Sequence, residues 1–285
     1  MLVIFLEWWL HIAPPPVEDK ATLELKREAI SPTFYKIGNN WLRKNELGLY
    51  EGYIEGAPFE RGAIWGNLTQ ELLASQEKAF VAQIDEMIPS RIYLYLLRYL
   101  IGFFNRNIDE YIPLEYQLEI YGESHFAPED YNAFERMLNY HETYDIGHVL
   151  QDYALVGYTS FSGWDEKSSD SSLIVGRNFN FYVGDDFSKD KIILFVNPDE
   201  GHKFAMVTWA GMIGVTSGMN EKGLTVTLNA AHSKMPTSAK TPIAIVARQI
   251  LQYAENIEEA HAIAQEMETF VSETIMISSA QDGKP

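Results

Sequence analysis

Side chains able to do chemistry stand at several recognisable spacings in this 285-residue chain. His141, Asp145 and His148 fall at i, i+4 and i+7 of one helical stretch. That spacing can hold zinc; it also suits a polar helix face on which Asp145 orients a histidine. Asp185, Asp186 and Asp190 offer carboxylates to a cation or simply to water. Asn67-Leu68-Thr69 fits the glycosylation sequon. There is no G-x-S-x-G turn, which removes the serine-hydrolase arrangement built on it. Three further groups lie in the second half of the chain. Leu155 to Phe161 contains the consecutive hydroxyls of Tyr158, Thr159 and Ser160. Gly176 to Phe181 contains Arg177 and Asn180. Ser217 to Leu224 is followed by Thr227-Leu228-Asn229. Each group alone has a plain reading: GMNEKGL is a tight turn in which Gly223 is free to take a positive φ, and Arg177 in a strand is a surface ion pair. Trp209, Phe179, Phe181 and Tyr182 can line an acyl pocket or pack as ordinary strand aromatics.

In this order and spacing the three groups resemble the penicillin acyltransferase and choloylglycine hydrolase families of the N-terminal-nucleophile (Ntn) superfamily. The family pattern is Gly-Cys opening a strand, then G-R-N-x-D, then G-M-N-E-K-G-L leading to L-N. The resemblance covers about residues 150 to 285. Glu55 to Gly62 and the helices after it resemble the long prosegment of the acyltransferase branch, whose internal nucleophile is exposed by self-cleavage. The resemblance implies amide-bond hydrolysis or acyl transfer on small N-acyl substrates, with no cofactor and no metal. In such sites the residue after the cleaved bond is the nucleophile, and its own α-amino group is the base. An arginine and an aspartate hold both, and amide donors stabilise the oxyanion. Carried over by motif, Arg177 is the positioning residue and Asn229 the oxyanion or substrate donor.

Two positions depart from the pattern. Tyr158 stands where the family has its cysteine, and a phenol with a pKa near ~10 is a bulky, poor acyl-transfer nucleophile. Asn180 stands at the aspartate position, where an amide supplies no negative charge. Three readings follow. The fold has kept binding and lost catalysis; or the nucleophile has moved to Thr159, a one-residue slip that on a strand requires a bulge to restore the side-chain direction, or to Ser160; or the tyrosine reflects an altered sequence or other chemistry. Weak or no activity is expected. The alternatives from another class are a non-catalytic binder of acyl amides and a structural envelope protein.

These residues need elements to position them. Residues 17 to 56 read as mixed, with a turn at Gly38-Asn39-Asn40. Residues 58 to 150 read as helical. Leu72, Leu73, Phe80, Ile84 and Met87 recur at helical spacing, Ile92 to Phe104 forms a dense apolar run expected in the core, and Ala133 to Tyr153 forms another helix. From Leu155 short β-rich runs follow: LVGYTSF, SLIVGRNF, KIILFV, FAMVTWA, MIGVTSG and LTVTLNA. Thr241 is expected as an N-cap with Pro242 at the first helical position. Asn256 is expected to cap a second helix with Glu258 and Glu259 in its first turn. Strand Thr274 to Ser279 enters a turn at Asp282-Gly283 with no return strand, so a continuing chain is expected. The pattern fits an α+β fold, an Ntn αββα sandwich with an N-terminal helical prosegment. The corresponding division is 1–16 as the remnant of a signal or membrane anchor, 17–157 as the prosegment-like region and 158–285 as the core.

A formal charge of -18 with no run of Lys or Arg argues against a nucleic-acid partner. With no cysteine there is neither a disulfide nor a thiolate site. The apolar run Met1 to Ala13 is too short to span a bilayer. It reads either as the tail of a membrane anchor, hence an exported or cell-envelope protein, or as a helix docked on the core, which leaves a cytoplasmic location open.

Overall fold

The computed structural model describes residues 10–128, 132–150, 158–180, 183–229, 231, 238–269 and 273–282, with the main chain alone for 143–150. Strands Glu28–Ser31 (β1), Phe34–Ile37 (β2), Asn40–Lys44 (β3) and Tyr50–Gly56 (β4) form an antiparallel meander. Gly38 opens the two-residue β2–β3 turn at φ 58°, the position where a positive φ is required. Among its described residues, the region 17–157 carries α-helices only from Pro58 onward, after a short 3-10 helix at Ala21–Glu24 and this meander. Its short strands escape the sequence reading because polar and apolar residues alternate over too few positions to declare a period.

Four helices follow: Pro58–Met87 (α1), Arg91–Asn105 (α2), Leu114–Ser124 (α3) and Ala133–Leu150 (α4). Next come the antiparallel hairpin Thr159–Asp165 (β5) and Ser171–Asn178 (β6) and strands Ile192–Pro198 (β7), Phe204–Thr208 (β8), Ser217–Asn220 (β9) and Leu224–Asn229 (β10). Helices Ile243–Tyr253 (α5) and Ile257–Glu266 (α6) precede strand Thr274–Ser279 (β11). The described strands make one nine-stranded mixed sheet, in the order β1-β2-β3-β4-β7-β8-β9-β10-β11, and the separate β5–β6 pair. β4 and β7 pair in parallel, Tyr50 with Ile192 through Gly56 with Pro198, so sheet hydrogen bonds cross the division drawn at 157. The fold is α+β.

Alternation decides which face is covered. Ile192, Leu194 and Val196 of β7, Phe204 and Met206 of β8, and Leu224, Val226 and Leu228 of β10 are buried with α1 and α5 in one core. Phe195, Val207 and Met219 lie exposed on the other face.

Two local expectations change. Thr241 does not cap α5: its Oγ1 donates to the Tyr111 carbonyl at 3.0 Å, and Pro242 takes the N-cap position. The Ile92–Phe104 run is helical but not core, since Ile92, Tyr93, Leu96 and Leu100 face solvent. An apolar run of this length does not say by itself what covers it. Asn256 caps α6 as expected, accepting from the Glu259 N–H at 3.0 Å while Glu259 returns to the Glu255 N–H at 2.9 Å.

Candidate functional site

The hairpin β5–β6 sets the first part of the site. Its register places Ser160 opposite Arg177 and Thr159 opposite Asn178. Side chains alternate along a strand, so Tyr158 and Ser160 share the face of Arg177 and Phe179, and Thr159 turns to the other. Thr159 is exposed, as is Asn180, two residues past the end of β6. Of the residues carried over by motif, the structure gathers Tyr158, Arg177 and Asn229, with Ser160 beside them; it leaves Thr159 and Asn180 outside the cluster.

Arg177 joins the hairpin to the main sheet. One Nη donates to the Thr216 carbonyl and, at 2.6 Å, to the Ser217 hydroxyl; the other donates to the Leu228 carbonyl at 2.7 Å. Thr216 and Leu228 are themselves joined, the Leu228 N–H donating to the Thr216 carbonyl at 2.9 Å. The guanidinium thus recognises the junction of β9 and β10 through main-chain oxygens, and the surface ion-pair reading of Arg177 gives way to an anchoring one. Its carbon lies 4.6 Å from the Phe179 ring centre and 5.6 Å from that of Tyr158. The two rings are stacked, 5.0 Å apart at 13°. Phe179 therefore packs against the arginine and the tyrosine. The Ser160 hydroxyl donates to Asn229 Oδ1 at 3.0 Å, and Asn229 Nδ2 donates to the Thr227 carbonyl at 3.3 Å. A cation face, a hydroxyl and a carboxamide converge at the end of β10, a combination suited to holding a polar acyl or amide group.

Behind the sheet lies a buried polar network that sequence reasoning missed. Glu119 of α3 accepts from Arg61 of α1 at 2.6 and 3.1 Å and from Arg248 of α5 at 3.0 Å. Burial alone would raise the Glu119 carboxyl, but Arg248 and Arg61 outweigh it and hold the group below its ordinary range. One turn on, burial pushes Glu123 up to about 8 despite a 2.9 Å bond from the Gly211 N–H. Charged residues within otherwise apolar helices were the available signal, yet they do not name their partners.

The remaining candidates resolve differently. His141 is fully buried, with Nδ1 bonded to the Met137 carbonyl at 2.9 Å and Nε2 accepting from the Ile213 N–H at 3.2 Å. Both ring nitrogens are used and burial pushes the ring down to about 4, so it is a neutral packing residue. The side chains of Asp145 and His148 lie outside the described residues, as do Phe181 and Tyr182. Asp186 and Asp190 pair with Lys189 at 2.6 Å and Lys44 at 3.3 Å. Asn67 is buried with its amide donating to the Leu25 carbonyl at 2.7 Å, which removes the sequon from the surface. Trp209 lines a small apolar cavity of about 50 Å³ with Leu73, Phe80 and Phe187. Lys191 stands beside it, and burial pushes its amine down to about 8.

Comparison with known proteins supports the acyl-transferase resemblance read from the sequence. Residues 164–282 match the family described as acyl-coenzyme A:6-aminopenicillanic acid acyl-transferase, in the Ntn-hydrolase-like superfamily. That match includes Arg177, Asn180 and Asn229 and begins after Tyr158, Thr159 and Ser160. An uncharacterized protein of Archaeoglobus fulgidus is 27% identical over 237 residues, covering 75% of this chain and 38% of that protein. The chain thus spans well under half of that relative's length.

Proposed function

We propose, on the premise of that acyl-transferase match, that this chain carries an Ntn-type site for small N-acyl amides in which Tyr158 impairs amide-bond hydrolysis and acyl transfer. The observation that carries the reading is the Arg177 cluster. The arginine that would position the nucleophile is fixed on the β9–β10 carbonyls, and the Tyr158–Phe179 stack lies against its face. A cysteine in place of Tyr158 would present a small thiol beside the guanidinium; the phenol fills that space with a ring. The exposed Asn180 brings no carboxylate to the cluster. The same groups suit a binder of acyl amides, with Asn229 and Ser160 addressing the ligand's carbonyl or N–H. In this reading β5–β6 opens the second sheet of an αββα sandwich, 17–157 acts as the prosegment, and the protein works in the cell envelope or outside it.

A second reading rests on Ser160. Its hydroxyl, not that of Thr159, faces Arg177 and bonds Asn229, so a displaced nucleophile would be Ser160.

Intact-mass spectrometry with chromogenic N-acyl anilides decides between them. The native chain is expected to give one uncut mass and negligible turnover, and Tyr158→Cys to split before residue 158 and hydrolyse the anilides. Native cleavage before Tyr158 with turnover, or an uncut and inert Tyr158→Cys, sinks the first reading. Native cleavage before Ser160, with turnover lost in Ser160→Ala, selects the second.

A further inference from the structure

Helices α1, α2 and α4 enclose a cleft of about 310 Å³. Phe80 and Ile84 of α1 and Leu94, Leu97 and Ile101 of α2 supply its apolar walls. Their spacings of three and four residues put each set on one side of its helix. Leu94 to Ile101 covers about 10 Å of α2, so the apolar wall runs for two turns. Val81, 44% exposed, and the exposed Arg98 mark the mouth. At the inner end Phe80 and Tyr140 also line the small cavity beside Trp209. Their rings meet edge to face with centres 5.2 Å apart, so this pair is a wall shared by the two spaces. Beyond it stand Leu73, Phe187 and Trp209. The enclosed space therefore becomes more apolar inward.

Polar groups gather on the α4 side, and their charges are matched within the wall. Arg136 donates to Glu77, which also accepts from the Tyr140 hydroxyl at 2.5 Å. Glu135 accepts from Asn132 at 2.7 Å and faces His11 at 3.5 Å. Asn139 accepts from Asn105 at 2.7 Å. The lining presents both signs, Arg98 and Arg136 against Glu135. A carboxylate guest would be buried beside Glu135 and an ammonium guest beside the arginines, and a charge buried without its own partner is costly. An uncharged head that both donates and accepts hydrogen bonds meets no such cost. Size sets the tail: the volume is roughly twice that of a cavity known to admit benzene, which gives room for about ten to twelve carbons. A cleft of this size, mostly apolar with a few convergent polar groups, has the make-up of a small-molecule site.

We propose that this cleft binds an uncharged single-chain amphiphile, a linear alkyl chain of about ten to twelve carbons with a small hydroxyl or amide head. The tail lies along Leu94, Leu97 and Ile101 and points to the Phe80–Tyr140 pair. The head stays at the mouth, near Arg98, Glu135 and Asn139. The site is built by α1, α2 and α4, apart from the Arg177 cluster, and the proposal does not depend on the chemistry at Tyr158.

The test is isothermal titration of the full chain with 1-decanol, decanoate and decyltrimethylammonium, each kept below the concentration at which it self-associates. 1-Decanol is expected to saturate one site, and the two ions to bind at least about tenfold more weakly. Val81→Trp at the mouth and Leu97→Trp in the wall fill the cleft, and each should weaken 1-decanol binding by at least about tenfold. Thermal melts show whether each variant folds, and 1-decanol should raise the melting midpoint of the native chain more than that of either variant. The head-group series needs only the native chain, so it decides the matter where a variant does not fold. Absence of saturable 1-decanol binding overturns the proposal, as does binding unchanged in both folded variants. Decanoate binding as tightly as the alcohol overturns the uncharged head in favour of an anion held by Arg98 or Arg136. Equal binding of decyltrimethylammonium overturns it in favour of a cation held by Glu135.

Discussion

Glu123 is fully buried, and among the described residues its Oε2 has no hydrogen-bond partner. Burial raises its carboxyl from 4.5 to about 8, so the folded protein keeps the proton over a range in which the unfolded chain has released it. Between those values the unfolded state binds fewer protons, and stability falls as pH rises. Nearby His141 acts oppositely: burial lowers it from 6.5 to about 4, the unfolded chain takes up the proton first, and stability falls as pH drops through that window. The two slopes offset each other between about 4.5 and 6.5. Glu123→Gln removes one of them and mimics the protonated acid. Denaturant titrations should show this variant gaining on the native chain by about 1.4 kcal/mol per pH unit from 4.5 to 8. A gap that stays constant with pH would mean that Glu123 is ionised in the folded state.

Helices α1 and α3 approach each other at glycines. A Cβ on Gly62 would come within 1.9 Å of the Glu119 carbonyl oxygen, and one on Gly122 within 2.3 Å of that of Phe59. These contacts are main chain on main chain, so no side-chain rotation relieves them. The close crossing brings Arg61 within reach of Glu119. Gly62→Ala should therefore cost at least about 1–3 kcal/mol, read as a lowered denaturant midpoint at unchanged slope. Gly102 in α2 is the contrast, because its Cβ would meet the tip of Leu10 at 3.4 Å. Gly102→Ala should be neutral or stabilising by up to about 1 kcal/mol, since alanine is the better helix former. Equal losses at both positions would mean that helix separation is not what Gly62 controls.

At the scale of the whole molecule, the β4–β7 pair joins strands 142 residues apart along their whole length, from Tyr50 facing Ile192 to Gly56 facing Pro198. Leu194 in β7 is buried at 2% exposure close to Gly52 of β4 and Trp65 of α1. The meander and the site-bearing strands should consequently open as one unit. Leu194→Ala is expected to cost about 2–5 kcal/mol. Hydrogen exchange should then speed equally in peptides from Tyr50–Gly56 and from Ile192–Pro198. Faster exchange confined to β7 would show that the two halves unfold separately.

The sequence by itself determined much of the local structure. Short β-rich runs placed β7, β8 and β10, Gly38 and Gly223 marked turns that take a positive φ, and Asn256 announced the cap of α6. The order of the Tyr158, Arg177 and Asn229 motifs pointed to the family that residues 164–282 match. These signals survive in one dimension because each depends on neighbours a few residues away. Tertiary structure decided the rest. Which hydroxyl faces Arg177 depends on the β5–β6 register, and a shift of one residue would exchange Ser160 for Thr159. Glu119 with Arg61 and Arg248 is settled by three helices meeting, and the parallel partner of β4 lies beyond the four helices that follow it. Whether α2 is core or surface depends on what packs over it, and an apolar run reads the same in either case.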